Sequence, residues 1–474
     1  MKVLYAVSEA KPFIASGGLG DVGGSLPVAL RKRLIGCRVV MPLYDKIPQE
    51  FKDNMKFITH ITVPVAWRRQ YCGIFEAKYN GVIYYFLDNQ YYFKRDALYG
   101  YYDDAERFAF FSRAVLEIIP YIDFKPDVIN CNDWQTALVP VYYSAYYANS
   151  PGFENIKTVF TIHNIQYQGK YGSEILQDVV GLGDAHASLL EYDGCINFMK
   201  GAIECANSIT TVSPTYAQEI LDPYYSHGLD PILKARSWKI KGILNGIDMV
   251  SNDPETDKAL PAHFSAEKPE NKAVCKAELQ KEMGLPERDD VPVIGIVSRL
   301  VSHKGFDLVK CVLDELLATE DAQVVALGSG DWQYESFFLE MASKYPEKMA
   351  VKIGFVPALA SRIYGGADIF LMPSQSEPCG LAQMFSLRYG TIPIVRATGG
   401  LRDSVTDSGD NEGNGFVFED YNAHDMLHTI RRAVRGYADK DGWQILRRRA
   451  MECDYSWGRS ANEYIKLYKA LIKE

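Results

Sequence analysis

Short, β-branched apolar runs punctuate this chain from end to end, and they constrain its fold more than any other feature. In the first half they are Val3–Val7, Val39–Met41, Val82–Leu87, Val128–Ile129, Thr158–Ile162 and Ile209–Val212. In the second half they are Val293–Val297, Val324–Leu327, Val351–Ile353, Ile369–Met372 and Ile392–Val395. Most are continuous rather than alternating, as strands are when a parallel sheet is covered on both faces. Helical patterns lie between them. "GFDLVKCVLDELLATE" puts Phe306, Val309, Val312, Leu313 and Leu316 on one face. "DDAERFAFFSRAVLEIIP" does the same with Phe108, Phe111, Ala114, Val115 and Ile118. Strands alternating with helices over the whole length predict α/β folds with right-handed crossovers.

The chain has 474 residues, enough for two or three domains at roughly 100–200 residues each. "ILNGID" (Ile243–Asp248) reads as a turn near the middle. After it, Met249–Asp290 is polar and carries Pro254, Pro261, Pro269 and Pro286, and a fresh strand begins at Val293. The pattern predicts two doubly wound, Rossmann-like domains, residues 1–245 and 246–456. A last helix, 457–474, with a stripe of Tyr464, Leu467 and Leu471, is predicted to pack back on the first domain. One internal echo fits two similar halves: "SGGLGD" (Ser16–Asp21) and "TGGLRD" (Thr398–Asp403). Ligands bind beyond the carboxyl ends of parallel strands. Two such domains are therefore expected to face each other across a deep cleft.

Charge and composition exclude several function classes. The net charge is −9 with no basic stripe, which argues against a nucleic-acid partner. "RRR" at Arg447–Arg449 reads as a solvated helix face. No segment approaches the ~20 apolar residues of a membrane span. "MKVLYAVSEAKP" lacks the long apolar stretch of a signal peptide, so a cytoplasmic chain is expected. The cysteines are scattered from Cys37 to Cys453 without a C-x-x-C pair, so neither a disulfide framework nor a metal site is expected. Tyrosines abound, often in adjacent pairs such as Tyr84–Tyr85 and Tyr146–Tyr147. Such rings suit either stacking on sugars or half-buried core positions.

"ASGGLGDVGGS" (Ala15–Ser25) contains G-x-G-x-x-G at Gly18, Gly20 and Gly23. A dinucleotide fingerprint needs its first glycine directly after the strand and an acidic residue at the end of the second strand, roughly 20 residues on. Here "SEAKPFIASG" intervenes after Val7, and the second run ends in Met41 and Pro42, with Asp45 late. An NAD-dependent oxidoreductase is disfavoured on both counts. What remains is general: glycines admit a ligand close to the backbone, and a helix start attracts anions and sugar oxygens.

Other candidates sit beyond strand ends. "SRLVSHKGFD" places Arg299 and Lys304 after the run Val293–Val297, a fork and a point charge suited to a diphosphate. "GSGD" at Gly328–Asp331 follows the next strand as a tight turn. In "SQSEPCGLAQ", Glu377 precedes Cys379, Gly380 and Leu381, which are expected to open a helix with free N–H groups. Asp133 follows Val128–Ile129, and His163 and Asn164 follow Thr158–Ile162.

Taken in order, these segments resemble the bacterial glycogen synthases and plant starch synthases. Those are retaining glucosyltransferases of glycosyltransferase family 5, with the two-domain architecture called GT-B. The resemblance rests on "LYAVSEAKPF", "YYFKRDALYG", "CNDWQTAL", "FTIHNIQYQG", "VSPTYAQEI", "LNGID", "VSRLVSHKGFDLV", "PSQSEPCGLAQM" and "RATGGLRDSV", and covers essentially the whole chain. It implies transfer of glucose from ADP-glucose to the non-reducing end of an α-1,4-glucan, with retention and without metal or other cofactor. By the same resemblance Arg299 and Lys304 grip the diphosphate, and Glu377 binds the glucosyl hydroxyls with the backbone of Cys379, Gly380 and Leu381. His163 and Asn245 meet the sugar, while Asp21 and Asp133 stand near donor and acceptor. Ser16, Gly17, Gly18, Gly328 and Thr398 are placed along the substrate, and Gly354 and Phe355 beside the adenine. One departure stands out. The family's K-x-G-G-L signature reads Ala15-Ser16-Gly17-Gly18-Leu19 here. The missing lysine leaves a second reading, a catalytically weak glucan-binding or regulatory homologue. A phosphorylase, a longer chain with a pyridoxal-phosphate lysine, fits less well.

Overall fold

Parallel strand pairing organises both halves. The computed structural model describes residues 1–410 and 412–473. It divides into two compact units, Met1–Asn245 with Trp457–Glu474, and Gly246–Ser456.

The first unit is built on a nine-stranded sheet. Its order is Ile240–Gly242, Ser208–Thr211, Lys157–Ile162, Val128–Asn132, Lys2–Ala6, Gly36–Pro42 and Val82–Asp88, then Arg68–Tyr79 and Lys56–Val65. The first seven run parallel, and the last two add an antiparallel hairpin at one edge. Val3, Leu4 and Ala6 in the central strand are inaccessible to solvent, as a two-sided burial requires. The hairpin escapes a search for continuous runs because its outer strand alternates buried with exposed residues.

The second unit carries six parallel strands in the order Met349–Ile353, Gln323–Gly328, Val293–Val297, Ile369–Met372, Ile392–Arg396, Phe416–Phe418. Numbered along the chain this is 3-2-1-4-5-6, and the parallel part of the first unit follows the same rule. The order reverses between the first strand and the fourth, which is where open α/β sheets bind ligands.

Two helices show what patterning misses and catches. Lys272–Glu282 lies inside the polar, proline-bearing stretch that reads as a break. It buries lysines: Lys272 Nζ donates to the carbonyls of Gly365 and Tyr389 and to the Thr391 hydroxyl at 2.9, 2.8 and 2.8 Å. The C-terminal helix Trp457–Lys473 belongs to the first unit, and Glu474 lies outside the described residues. It buries Tyr464, Tyr468 and Leu471, with Leu467 half-buried. Tyr468 Oη reaches Asn130 Oδ1 at 2.7 Å beneath the sheet's centre. Among the described residues no helix is long and apolar enough to cross a membrane.

Candidate active site

In the first unit the switch point lies between Lys2–Ala6 and Val128–Asn132. The chain leaves the first strand, loops through Glu9 and Ser16, and enters the helix Gly18–Lys32. Gly20, Gly23 and Gly24 press this helix on the loop. A Cβ at Gly20 would meet that of Ala15 at 2.3 Å, one at Gly23 the Glu9 carbonyl at 2.6 Å, and one at Gly24 the Lys11 carbonyl at 2.4 Å. These glycines are explained by packing. Gly17 and Gly18 are not: nothing lies within 4 Å of a Cβ on either, and both are exposed. The helix start also lacks a side-chain cap. Open glycines before uncapped N–H groups leave room for a ligand to approach. Glu9, nearly inaccessible, holds the loop in place by accepting from the Ser16 N–H and, at 3.1 Å, from its hydroxyl. Burial pushes the Glu9 carboxyl above its ordinary range.

Across the switch point, Asp133 sits at a positive φ of 55° with an extended ψ of −179°. Non-glycine residues adopt it at a cost, and such strain clusters at functional sites. Its Oδ1 accepts from the His163 backbone N–H at 2.7 Å. Burial nevertheless raises its pKa to about 7, with the Glu9 charge adding to it and the His163 and Asn164 N–H groups opposing. His163 Nε2 lies 2.9 Å from Asn132 Oδ1. Since Asn132 Nδ2 donates to the Ala6 carbonyl, Oδ1 is the acceptor and Nε2 carries the proton. Burial lowers this imidazole to about 3, so it stays neutral with Nδ1 left to accept. Asn245, the last residue of the unit before the C-terminal helix returns, is buried with a side-chain oxygen that has no hydrogen-bond partner among the described residues.

In the second unit the switch point falls between Val293–Val297 and Ile369–Met372. The loop after the first carries Arg299 and Lys304; the loop after the second carries Glu377. The Gln375 N–H donates to the His303 carbonyl at 2.9 Å and ties the two loops together. Gly305, at φ 80°, lets them touch: a Cβ there would meet the Pro373 carbonyl at 2.0 Å. Lys304 Nζ and Glu377 Oε2 are 2.6 Å apart, and the Ser374 hydroxyl donates to the same oxygen at 3.1 Å. Arg299, Lys304, Glu377, Gly380 and Leu381 line one cavity of about 210 Å³. Arg299 is exposed there. Burial, helped by the Lys304 and Arg299 charges, keeps the neighbouring His303 imidazole below its ordinary range.

The remaining expected residues divide. Cys379 is buried beside the cavity, and the helix after it is Ala382–Arg388, one residue later than Leu381. The echo "TGGLRD" is not the equal of "SGGLGD". Cβ atoms at Gly399 and Gly400 would meet the carbonyls of Glu377 and Cys379 at 2.0 and 2.1 Å, and Thr398 is inaccessible. This loop braces Glu377 from behind. Gly328 packs on the Ser298 carbonyl, and the Gly354 N–H donates to the Gly328 carbonyl at 2.9 Å. Phe355 is 87% exposed on the next loop. Asp21 stands in the first turn of the glycine-loop helix, paired with Lys11. Glu9, Asn132 and Ser374 are missed by sequence reasoning. Glu9 alone leaves a signal, as an acid directly after the first strand.

The Asp133 shift has a measurable consequence. Its folded-state pKa of about 7 lies above the ordinary carboxyl value, so the folded chain favours the protonated form. That contribution is complete in acid below the unfolded pKa and is lost as pH rises through 7. Asp133→Asn is expected to hold its melting temperature between pH 5 and 8 better than the parent does, as read by thermal melts at fixed ionic strength. Parallel curves would remove Asp133 as the titrating group.

Most of the chain matches two known sequence families. Residues 2–235 match the family described as starch synthase catalytic domain, and residues 279–447 that described as glycosyl transferases group 1. The chain is 53% identical to the glycogen synthase of Geobacillus thermodenitrificans (strain NG80-2) over 100% of this chain and 98% of that one. It is 50% identical to that of Bacillus cereus (strain ATCC 10987 / NRS 248) over 100% of both. Among solved structures, the catalytic domain of starch synthase IV from Arabidopsis thaliana, bound to ADP and acarbose, superposes with a TM-score of 0.91 at 34% identity, covering 100% of this chain and 99% of that one. Sucrose-phosphate synthase from Thermosynechococcus elongatus matches in fold, at TM-score 0.61 and 16% identity over 100% of both chains. With likeness this close over its whole length, and two Rossmann-like units of the GT-B type, the chain belongs to the glycogen and starch synthase family.

Proposed function

We propose that this protein transfers glucose from ADP-glucose to the non-reducing end of an α-1,4-glucan, with retention of configuration. The observation that carries the reading is the second unit's cavity, where two cations and a nearly buried carboxylate meet at the switch point. Glycosyl transfer builds positive charge on the sugar and negative charge on the departing diphosphate. Arg299 and Lys304 meet the diphosphate, Arg299 as a fork and Lys304 as a point charge. Glu377 accepts glucosyl hydroxyls, and the backbone of Cys379, Gly380 and Leu381 completes that contact. The protein's own cations neutralise the leaving group, and no metal or other cofactor enters the scheme. Neutral His163, Asn245, Asp21 and Asp133 serve the sugar and the acceptor from the first unit, with Ser16, Gly17 and Gly18 leaving space for them. Phe355 is proposed beside the adenine with Gly354, and Gly328 and Thr398 shape the loops behind the donor.

The glycogen synthases it resembles support this reading, as do the ADP and acarbose held by the starch synthase structure. The alternative of a catalytically weak glucan binder rests on Ala15 alone. The test is release of ADP from ADP-glucose on a glycogen primer, run beside UDP-glucose. Primer-dependent turnover that prefers ADP-glucose is expected. Equal or better turnover with UDP-glucose would change the donor, and no turnover with either would favour the binding protein.

A further inference from the structure

We propose that the second unit carries an anion site away from the Arg299–Glu377 cavity: a basic pocket, floored by Arg447, that takes the phosphate group of a small molecule. This site lies outside the glucosyltransferase reading and stands without it.

The pocket has a volume of about 1160 Å³ and is lined by residues of the helices Lys272–Glu282 and Lys440–Met451. Its floor lies at the amino edge of the sheet. The Asp368 N–H donates to the Val293 carbonyl at 2.9 Å, and Asp368 Oδ2 accepts from the Val293 N–H at 3.0 Å. Arg299, Lys304 and Glu377 follow the opposite, carboxyl ends of the two strands that start here.

Three cations meet one carboxylate on that floor. Lys272, Lys276 and Arg447 are 2%, 5% and 7% exposed, and Asp368 is 3% exposed. Lys276 takes the carboxylate at 2.9 Å, and Lys272 is spent on backbone carbonyls. Arg447 is left short. Its guanidinium reaches Asp368 and Gln444 at 3.4 and 3.3 Å, and its Nε has no hydrogen-bond partner among the described residues. The buried Trp443 indole N–H has none there either. The run Arg447–Arg449 is therefore not wholly the solvated face its letters suggest. Packing accounts for the Arg447 stem, which lies against Gly390, and leaves its spare donors unexplained. Buried polar groups without partners call for a reason, and a guanidinium fork matches phosphate oxygens.

Charge points the same way. Burial, with the Arg447 charge adding to it and Asp368 opposing, lowers the Lys272 ammonium well below its ordinary range. Burial and the Lys276 charge lower Lys440, against Asp368 and Asp289. Lys440 and Arg448 are exposed on the same pocket. Lys440, Gln444 and Arg447 share one helix face, where side chains lean toward the helix start, so Arg447 leans toward Lys440. An oxyanion held by Arg447, Lys440 and Arg448 relieves this repulsion. Glu267, Glu270, Glu287 and Glu452, all exposed, also line the pocket. They repel a polyanion such as a nucleic acid, so a small molecule with a single phosphate group fits best.

The test is equilibrium dialysis of radiolabelled inorganic phosphate at fixed ionic strength, with melting temperatures alongside. It uses the full chain carrying Arg299→Ala, which weakens the donor cavity as a competing phosphate site. On that background, Lys440→Ala/Arg448→Ala is expected to weaken phosphate binding at least roughly tenfold, the scale of one charge-assisted contact. Its melting temperature should not change, since both side chains are exposed. Arg447→Gln is expected to weaken binding as much at some cost in stability, and the exposed pair decides the matter if that variant fails to fold. Glycerol 3-phosphate separates the two sources of the group. Displacement of phosphate by it supports a phosphate ester as occupant, and binding of phosphate alone supports the free ion. Glycerol should displace nothing. No phosphate bound on the Arg299→Ala background, or binding that Lys440→Ala/Arg448→Ala leaves unmoved, overturns the proposal. ADP release from ADP-glucose is not part of either outcome, so the glucosyltransferase reading is tested separately.

Discussion

Lys304→Ala and Arg299→Ala are each expected to lower kcat at least about 100-fold, the loss seen when one preorganised contact to a developing charge is removed. The argument starts from where these cations sit. They occupy the loop after the first strand of the second unit, held by the Gly305 contact with Pro373 and by the Gln375–His303 bond. A loop fixed by its own contacts limits the reorganisation that meeting a diphosphate would demand. Arg299 is exposed, so its removal should leave the melting temperature unchanged. Lys304→Ala takes the partner from a nearly buried Glu377 and should cost some stability. Turnover is followed as ADP released per primer end, with thermal melts alongside. Near-parental kcat in either variant would remove that residue from the transition state. A higher KM at unchanged kcat would make its contact one of uniform binding.

Much of this arrangement is legible in the sequence because two-sided strands leave continuous apolar runs. Val293–Val297 and Ile369–Met372 are read at their observed bounds, so Arg299, Lys304 and Glu377 fall correctly at strand ends. What stayed hidden has physical causes. The hairpin Lys56–Val65 and Arg68–Tyr79 is half-solvated and carries no continuous run. The helix Lys272–Glu282 is held by lysine ammoniums on backbone carbonyls, an interior that looks like a surface in sequence. Glycine letters conceal opposite roles. Gly20, Gly23, Gly399 and Gly400 are demanded by close packing, while Gly17 and Gly18 stand in open space. No sequence pattern separates the two groups. Asn132, which sets the His163 tautomer, is a polar residue at the end of a strand whose role depends on a ring 31 residues away.

The second large effect concerns the carboxylate. Glu377→Ala is expected to lower kcat by about 100-fold or more, and the double variant Lys304→Ala/Glu377→Ala to lose far less than the product of the two single losses. At 2.6 Å the two side chains are one unit, so each single change also damages the survivor. Without Glu377 the ammonium has no fixed anchor and can collapse onto the diphosphate or away from it. Without Lys304 the carboxylate keeps the Ser374 hydroxyl, and its charge is left poorly compensated beside an anionic leaving group. Glu377→Gln separates two jobs. It keeps an oxygen for the glucosyl hydroxyls and gives up the ion pair. A Gln variant close to the parent would place Glu377's work in hydroxyl binding. One as impaired as the alanine variant would place it in the charge that positions Lys304. Fully additive single losses would mean that the pair seen here is broken before the chemistry begins, with Lys304 already on the phosphate and Glu377 on the sugar.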